Sequence, residues 1–180
     1  MSNFAFIDND ILRKNLDIAF DHIIELLAVS DSDFYKNKPL LISSFRKTII
    51  ILMASIIEAL LLWKLKRTTK SKIIELSDEY KYFDIRTLHV INKKVKEEII
   101  AGKRKKERKK LDRLDFIRII DLCFKYNIFK KVLHNELNKV RKLRNKLHIG
   151  GLEKIEKKYT QKDLKFVFSV AKKVDSVVQV

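Results

Sequence analysis

The sequence predicts an all-α fold, a helical bundle of about five to seven helices. Apolar residues recur at three- and four-residue spacings over several long stretches, the period of a helix with one face in a core. Lys, Leu, Ile and Glu dominate the composition and suit long helices. Three glycines and a single proline, Pro39, in 180 residues leave little turn chemistry for a many-stranded β protein. With 46% hydrophobic residues the chain can bury a substantial core, and its length points to one domain, 1–180.

Taken in order, Asp10 can cap a first helix in which Leu12, Leu16, Ala19, Ile23 and Leu27 recur at helical spacing, ending near Ser30. The polar stretch from Ser30 to Pro39 reads as a loop. A second long helix is expected from about Leu41 to Arg67, and the sequence TTKS at 68–71 breaks it. From Lys72 to Ala101 the pattern weakens. Leu76, Tyr80 and Phe83 suggest one short helix there, and Ile85, Leu88, Val95 and Ile99 another behind Asp84.

A basic loop is expected at 102–111, then a core helix over Leu114 to Phe129 that ends around Asn127. The next helix spans Lys130 to His148 and stops at Gly150 and Gly151, and a last one opens with Thr160 and Asp163 as a capping box.

The second helix contains a nearly uninterrupted apolar run, Ile49 to Trp63. It is short for a membrane span of about 20 residues and carries Glu58 near its middle. The expected reading is therefore a helix buried on most sides in a bundle or dimer interface, with no membrane. Glu58 must then meet a donor or border a cleft, since an unpaired buried carboxylate is too costly. The first ten residues lack a basic segment followed by an apolar one, so no secretory signal is expected. Cys123 is the only cysteine, which rules out a disulfide framework and a thiolate metal site and fits a reducing cytoplasm.

The formal net charge of +17 points to nucleic acid or an acidic partner, or to lysine-decorated solvated faces. Seven of the cations, Lys103, Arg104, Lys105, Lys106, Arg108, Lys109 and Lys110, fall in one tract with a single acid, Glu107. Such a tract can grip a phosphate backbone without reading sequence, or simply keep a surface segment soluble.

Specific chemistry is concentrated in the helix that ends at the two glycines. Arg141, Arg144 and His148 lie on one side of it, Asn145 on the outer side, and His134, Arg141 and His148 recur every seven residues beside the stripe Leu133, Leu137, Val140 and Leu147. A histidine flanked by guanidiniums can move a proton and hold a phosphate. An isolated histidine in a helix's last turn can equally serve only the helix terminus. His134 could line the same groove, though a surface role suits it as well. His22 and His89 read as structural or surface residues, and Tyr80, Tyr82 and Phe83 as core residues rather than base-stacking ones. There is no glycine-rich phosphate loop, no metal-spaced Cys or His pair and no glycine-flanked serine nucleophile, so neither metal nor cofactor is expected.

The run LDFIRIIDLCFKYNIFKKVLHNELNKVRKLRNKLHIGG, followed by a linker and YTQKDLKFVFSVAKKV, resembles the HEPN superfamily (higher eukaryotes and prokaryotes nucleotide-binding). In that superfamily an RN…H motif ends one long helix and another helix follows. The sequence IIEALL at Ile56 to Leu61 is also similar to members of it, and the resemblance is strongest over residues 111 to 178. It implies an α-helical bundle and, for many members, a metal-independent ribonuclease of toxin or antiviral-defence type whose site forms across a dimer. Other members are non-catalytic partners of nucleotidyltransferases.

Carried over by position, Arg144 and Asn145 match the RN of the motif and His148 its histidine. The superfamily generally places four to six residues between Arg and His, whereas three separate Arg144 from His148 and six separate Arg141 from His148. Arg141 thus fits the spacing, with Arg144 as a second phosphate contact. The tyrosine that some toxin members carry two residues beyond the histidine is replaced by Gly150.

On this reading His148 acts as general acid or base for attack of an RNA 2′-hydroxyl on the adjacent phosphate. Arg141 and Arg144 stabilise phosphoryl charge, and Asn145 orients the histidine or substrate. One such histidine per chain makes a two-proton reaction awkward for a monomer, so a homodimer is expected. RNA is the expected partner, with an antitoxin or a nucleotidyltransferase as protein partners the resemblance implies. The competing class is a non-catalytic module that binds nucleic acid or an acidic protein through the same basic face.

Overall fold

A computed structural model describes residues 2–69, 73–92, 94–145 and 158–179, with the backbone alone for 73–81 and 106–109. The chain divides into two compact units, Met1–Thr69 with Asp115–Val180 and, separately, Lys70–Leu114.

The first unit is a bundle of α1 (Asp10–Ser30), α2 (Pro39–Thr69), α3 (Phe116–Lys125), α4 (Lys131–Asn145) and α5 (Gln161–Val178). α2 is its centre and packs against the other four helices. Ile49, Ile50, Met53, Ala54, Ile57, Leu61 and Leu65 are buried on it, facing more than one neighbour, so the run needs no polar side. By length and composition α2 could also cross a membrane; central placement in the bundle gives the same apolar run a second physical reason. Pro39 sits at its first position, where a missing N–H leaves no intrahelical bond unmade.

Local chemistry sets the helix ends. Asn9, rather than the expected Asp10, caps α1 by accepting from Leu12 N at 2.9 Å; Asp10 instead pairs with Arg13. α3 stops in a Schellman arrangement, with Ile128 N donating to Cys123 O at 2.9 Å and Asn127 N to Phe124 O at 3.0 Å. Asn127 takes the left-handed conformation this requires, at φ 56. That turn reverses the chain into α4. Thr160 and Asp163 form the capping box of α5 as the sequence predicts.

The second unit overturns the all-α expectation, because it is built on an antiparallel ribbon of β1 (Ile73–Asn92) and β2 (Glu97–Lys110). The protein is a mixed fold of five helices and a two-stranded sheet among the described residues. The short helices expected around Leu76, Tyr80 and Phe83, and around Ile85, Leu88, Val95 and Ile99, do not form. The basic loop expected at 102–111 is instead a strand as far as Lys110, followed by a 3₁₀ turn at Leu111–Arg113.

Ile85, Thr87, Val90, Ile91, Ile99 and Ile100 supply the β-branched character that favours the ribbon. The turn between the strands has no glycine. Asn92 Oδ1 accepts from Lys94 N at 3.0 Å, and Lys96 carries a positive φ of 53. β1 exceeds β2 by six residues, absorbed at bulges after Glu75, Phe83, Thr87 and Val90. At the second bulge Asp84 has φ 52. A Cβ on Gly102 would lie 3.2 Å from Phe83 O, so only glycine fits without a shift. Tyr82 and Phe83, expected in the core, are exposed on this ribbon.

Candidate functional site

α4 carries the polar row that the sequence singles out, and its buried stripe of Leu133, Leu137 and Val140 fixes which way that row faces. The row meets α3 near its start and α2 near its end.

Near the start, His134 Nε2 lies 2.9 Å from Asp121 Oδ1 on α3, and its ring is 4.9 Å from that of Phe124. Asp121 can only accept and Lys131 Nζ, 3.5 Å from His134 Nδ1, can only donate. A ring protonated on Nε2 satisfies both contacts. Only 14% of the His134 side chain is exposed, and its polar atoms are used in joining α3 to α4. This geometry suits packing better than contact with RNA.

One turn on, Asn138 Nδ2 donates to His134 O at 3.2 Å, and Arg141 Nε donates to Asn138 Oδ1 at 3.3 Å. Arg141 is half-buried, and this contact holds its stem against the helix.

At the end of α4, Arg144 Nη1 lies 3.1 Å from Glu58 Oε2 on α2, with its guanidinium carbon 5.8 Å from the Phe116 ring centroid. The donor that a carboxylate in the middle of an apolar run demands is therefore Arg144. Burial pushes the Glu58 carboxyl above its usual range, the neighbouring Arg144 charge pulls it down, and the Asp115 charge pushes it up. IIEALL in α2 and the RN motif in α4, both of which enter the family resemblance, are thus joined by this ion pair. Asn145 is exposed beside it.

His148 and the glycines Gly150 and Gly151 lie outside the described residues. Arg141, Arg144 and Asn145 are brought to one end of α4, where a third of the Arg144 side chain remains exposed. The seven cations of the basic tract, Lys103, Arg104, Lys105, Lys106, Arg108, Lys109 and Lys110, belong to β2 in the other unit. Lys103, Arg104, Lys105 and Lys110 are exposed, and Lys103 Nζ pairs with Asp84 Oδ2 at 3.1 Å. Lys106, Arg108 and Lys109 are placed by register opposite Tyr80, Glu75 and Ile74.

Sequence reasoning demanded a donor for Glu58 but did not identify Arg144, nor Asp121 as the partner of His134. Charge of opposite sign on helices that must pack together was the available signal. A cleft of about 810 Å³ lies at the opposite end of α4, lined by Phe124, Ile128, Phe129, Glu136 and Lys173 among others, and contains none of the motif residues. Among the described residues no cluster of His, Cys, Asp or Glu could hold a metal ion. In comparisons with known protein families, curated proteins and solved structures, nothing matches this chain.

Proposed function

We propose that the chain is a metal-independent endoribonuclease of the type its resemblance to the HEPN superfamily implies, working as a homodimer in a reducing cytoplasm. The observation that carries this reading is the Glu58–Arg144 pair, which ties the apolar α2 to the end of the motif helix and leaves Arg144 partly open to solvent. Among the described residues Glu58 meets its guanidinium at Nη1, and the planar fork has further N–H donors with which to hold a phosphate. Arg141, one turn earlier, supplies the second cation.

In this mechanism His148 takes the proton from the RNA 2′-hydroxyl, whose oxygen attacks the adjacent phosphorus. The P–O5′ bond breaks, the 5′-oxygen receives a proton from the motif histidine of the second copy, and the products are a 2′,3′-cyclic phosphate and a 5′-hydroxyl. Arg141 and Arg144 offset charge on the non-bridging oxygens, and Asn145 orients the histidine or the substrate. The cations of β2 hold RNA through its phosphates without sequence preference.

A second reading, a non-catalytic binding module, is favoured by the concentration of exposed cations on β2, which can hold nucleic acid whether or not anything is cut. The two separate on one experiment. Purified protein is incubated with mixed cellular RNA in EDTA beside His148→Ala and Arg141→Ala, and RNA affinity is measured in parallel. Cleavage by the wild type that both substitutions abolish, with affinity retained, supports the nuclease. Undiminished affinity with no cleavage by any of the three overturns it in favour of the binding module.

A further inference from the structure

Between its bulges the ribbon keeps an unbroken register from Tyr80 to Phe83, opposite Lys106, Lys105, Arg104 and Lys103 in that order. The residues at 80–83 and 103–106 are five cations and three aromatics, with no acid among them. Directly opposed residues of an antiparallel pair share a face, with Cβ atoms about 4.5–5.5 Å apart, and successive residues alternate between faces. Tyr82 therefore lies beside Arg104 on one face, and Phe83 beside Lys103 on the other. Tyr82 is 59% exposed and Phe83 48%. A single exposed ring is ordinary. Two neighbouring rings that each stand beside a cation combine the parts of a site for unpaired bases: a flat π face on which a base stacks, and a positive charge within reach of its phosphate.

Given the reading of RNA as this chain's ligand, on which this assignment rests, we infer that Tyr82 and Phe83 are stacking sites for unpaired RNA bases. One lies on each face of the ribbon, with Arg104 and Lys103 on the adjoining phosphates. Lys103 also pairs with Asp84 at 3.1 Å, but the two side chains are 82% and 62% exposed, and so wet an ion pair gives way to a phosphate at little cost.

The rings add a contact that the cations of β2 do not make. Cations hold a single strand and a duplex alike, since both carry phosphates. A base already paired and stacked within a helix has no face to offer a side chain. The two rings thus give the ribbon a preference for single strand over duplex, tolerant of sequence because every base has a π face. The preference does not depend on whether the chain cuts RNA.

The test is the affinity of full-length protein for a 2′-O-methyl RNA strand of about 12 nucleotides, alone and annealed to its complement, read by fluorescence anisotropy across a range of salt concentrations. The proposed cutting reaction needs a free 2′-hydroxyl, so this probe reports binding alone. Tyr82→Ile and Phe83→Ile remove a ring but keep an apolar side chain that favours a strand; Tyr82→Trp and Phe83→Trp keep a ring. Each isoleucine variant is expected to bind the single strand about 5-fold or more weakly. It should bind the duplex as the wild type does and keep the wild-type salt slope, because no phosphate contact is lost. Each tryptophan variant should bind the single strand at least as well as the wild type. Isoleucine variants with wild-type affinity for the single strand would overturn the stacking sites while leaving RNA binding by the cations intact. An equal loss on strand and duplex, or a loss shared by the tryptophan variants, would also overturn them. A wild type that binds neither probe would overturn the reading of RNA as ligand, and the stacking sites with it.

Discussion

Replacing Arg144 by alanine separates the electrostatic part of the α2–α4 contact from its packing part. At 3.1 Å, Coulomb attraction in an effective dielectric near 20 is about 5 kcal/mol before dehydration is counted. A third of the Arg144 side chain and a fifth of Glu58 remain exposed, so solvent screening and the lost hydration leave about 1–2 kcal/mol of net stabilisation. The face of Phe116 adds about 0.5–1 kcal/mol. Arg144→Ala should therefore cost about 1.5–3 kcal/mol at pH 7.

The pH dependence carries the sharper test. Burial holds the Glu58 carboxyl above its ordinary range of about 4.5 even with Arg144 present. The folded state thus favours the protonated form, so this group's contribution is fully present below the unfolded pKa and is lost as pH rises through the raised folded value. Without Arg144 the positive charge that lowers the pKa is gone, and the window moves upward. Below about pH 4 the carboxyl is protonated in both proteins, and the deficit should shrink to the Phe116 share of about 0.5–1 kcal/mol. Urea unfolding followed by fluorescence of Trp63, the only tryptophan, buried in α2, measures both values. An equal deficit at pH 4 and pH 7 would refute the electrostatic account, as would a loss at pH 7 below about 0.5 kcal/mol.

Ser43 Oγ is buried and accepts from Tyr159 N at 2.8 Å, fixing the approach to α5; Ser43→Ala should cost about 1–3 kcal/mol in the same assay, because the buried N–H loses its acceptor. Burial pushes the Cys123 thiol up to about 12, so it should resist a thiol-reactive dye in the native state and react once urea unfolds the bundle. Replacing Lys103, Arg104, Lys105 and Lys110 by glutamine should weaken RNA binding and flatten its dependence on salt concentration. Unchanged affinity and slope would show that these cations only solvate the ribbon.

The helical unit was legible because each of its features has a local cause. Spacing placed α1, α2 and the start of α4 to within a few residues, Thr160 and Asp163 announced the start of α5, and the isolated Glu58 in an apolar run required a cation. The identity of that cation was not legible, since it depends on how α4 crosses α2 rather than on spacing within either helix. The hairpin was missed for a different reason. Its bulges break the alternation that would mark a strand, its turn rests on Asn92 and a left-handed Lys96 rather than on glycine, and a few apolar residues fell by chance at helical intervals. Clustered isoleucine, valine and threonine from Ile85 to Ile100 was the better signal.

In the proposed reaction the end of the motif helix cuts RNA by way of the RNA's own 2′-hydroxyl. The most direct measurement compares, in EDTA, an RNA that the wild type cleaves with the same sequence 2′-O-methylated throughout, and types the ends of any product. Cleavage of the unmodified strand alone, leaving 2′,3′-cyclic phosphate and 5′-hydroxyl ends and lost in His148→Ala, is the predicted result. Cutting of the methylated strand, or ends carrying a 5′-phosphate, would contradict it, because neither can arise from attack by the neighbouring hydroxyl.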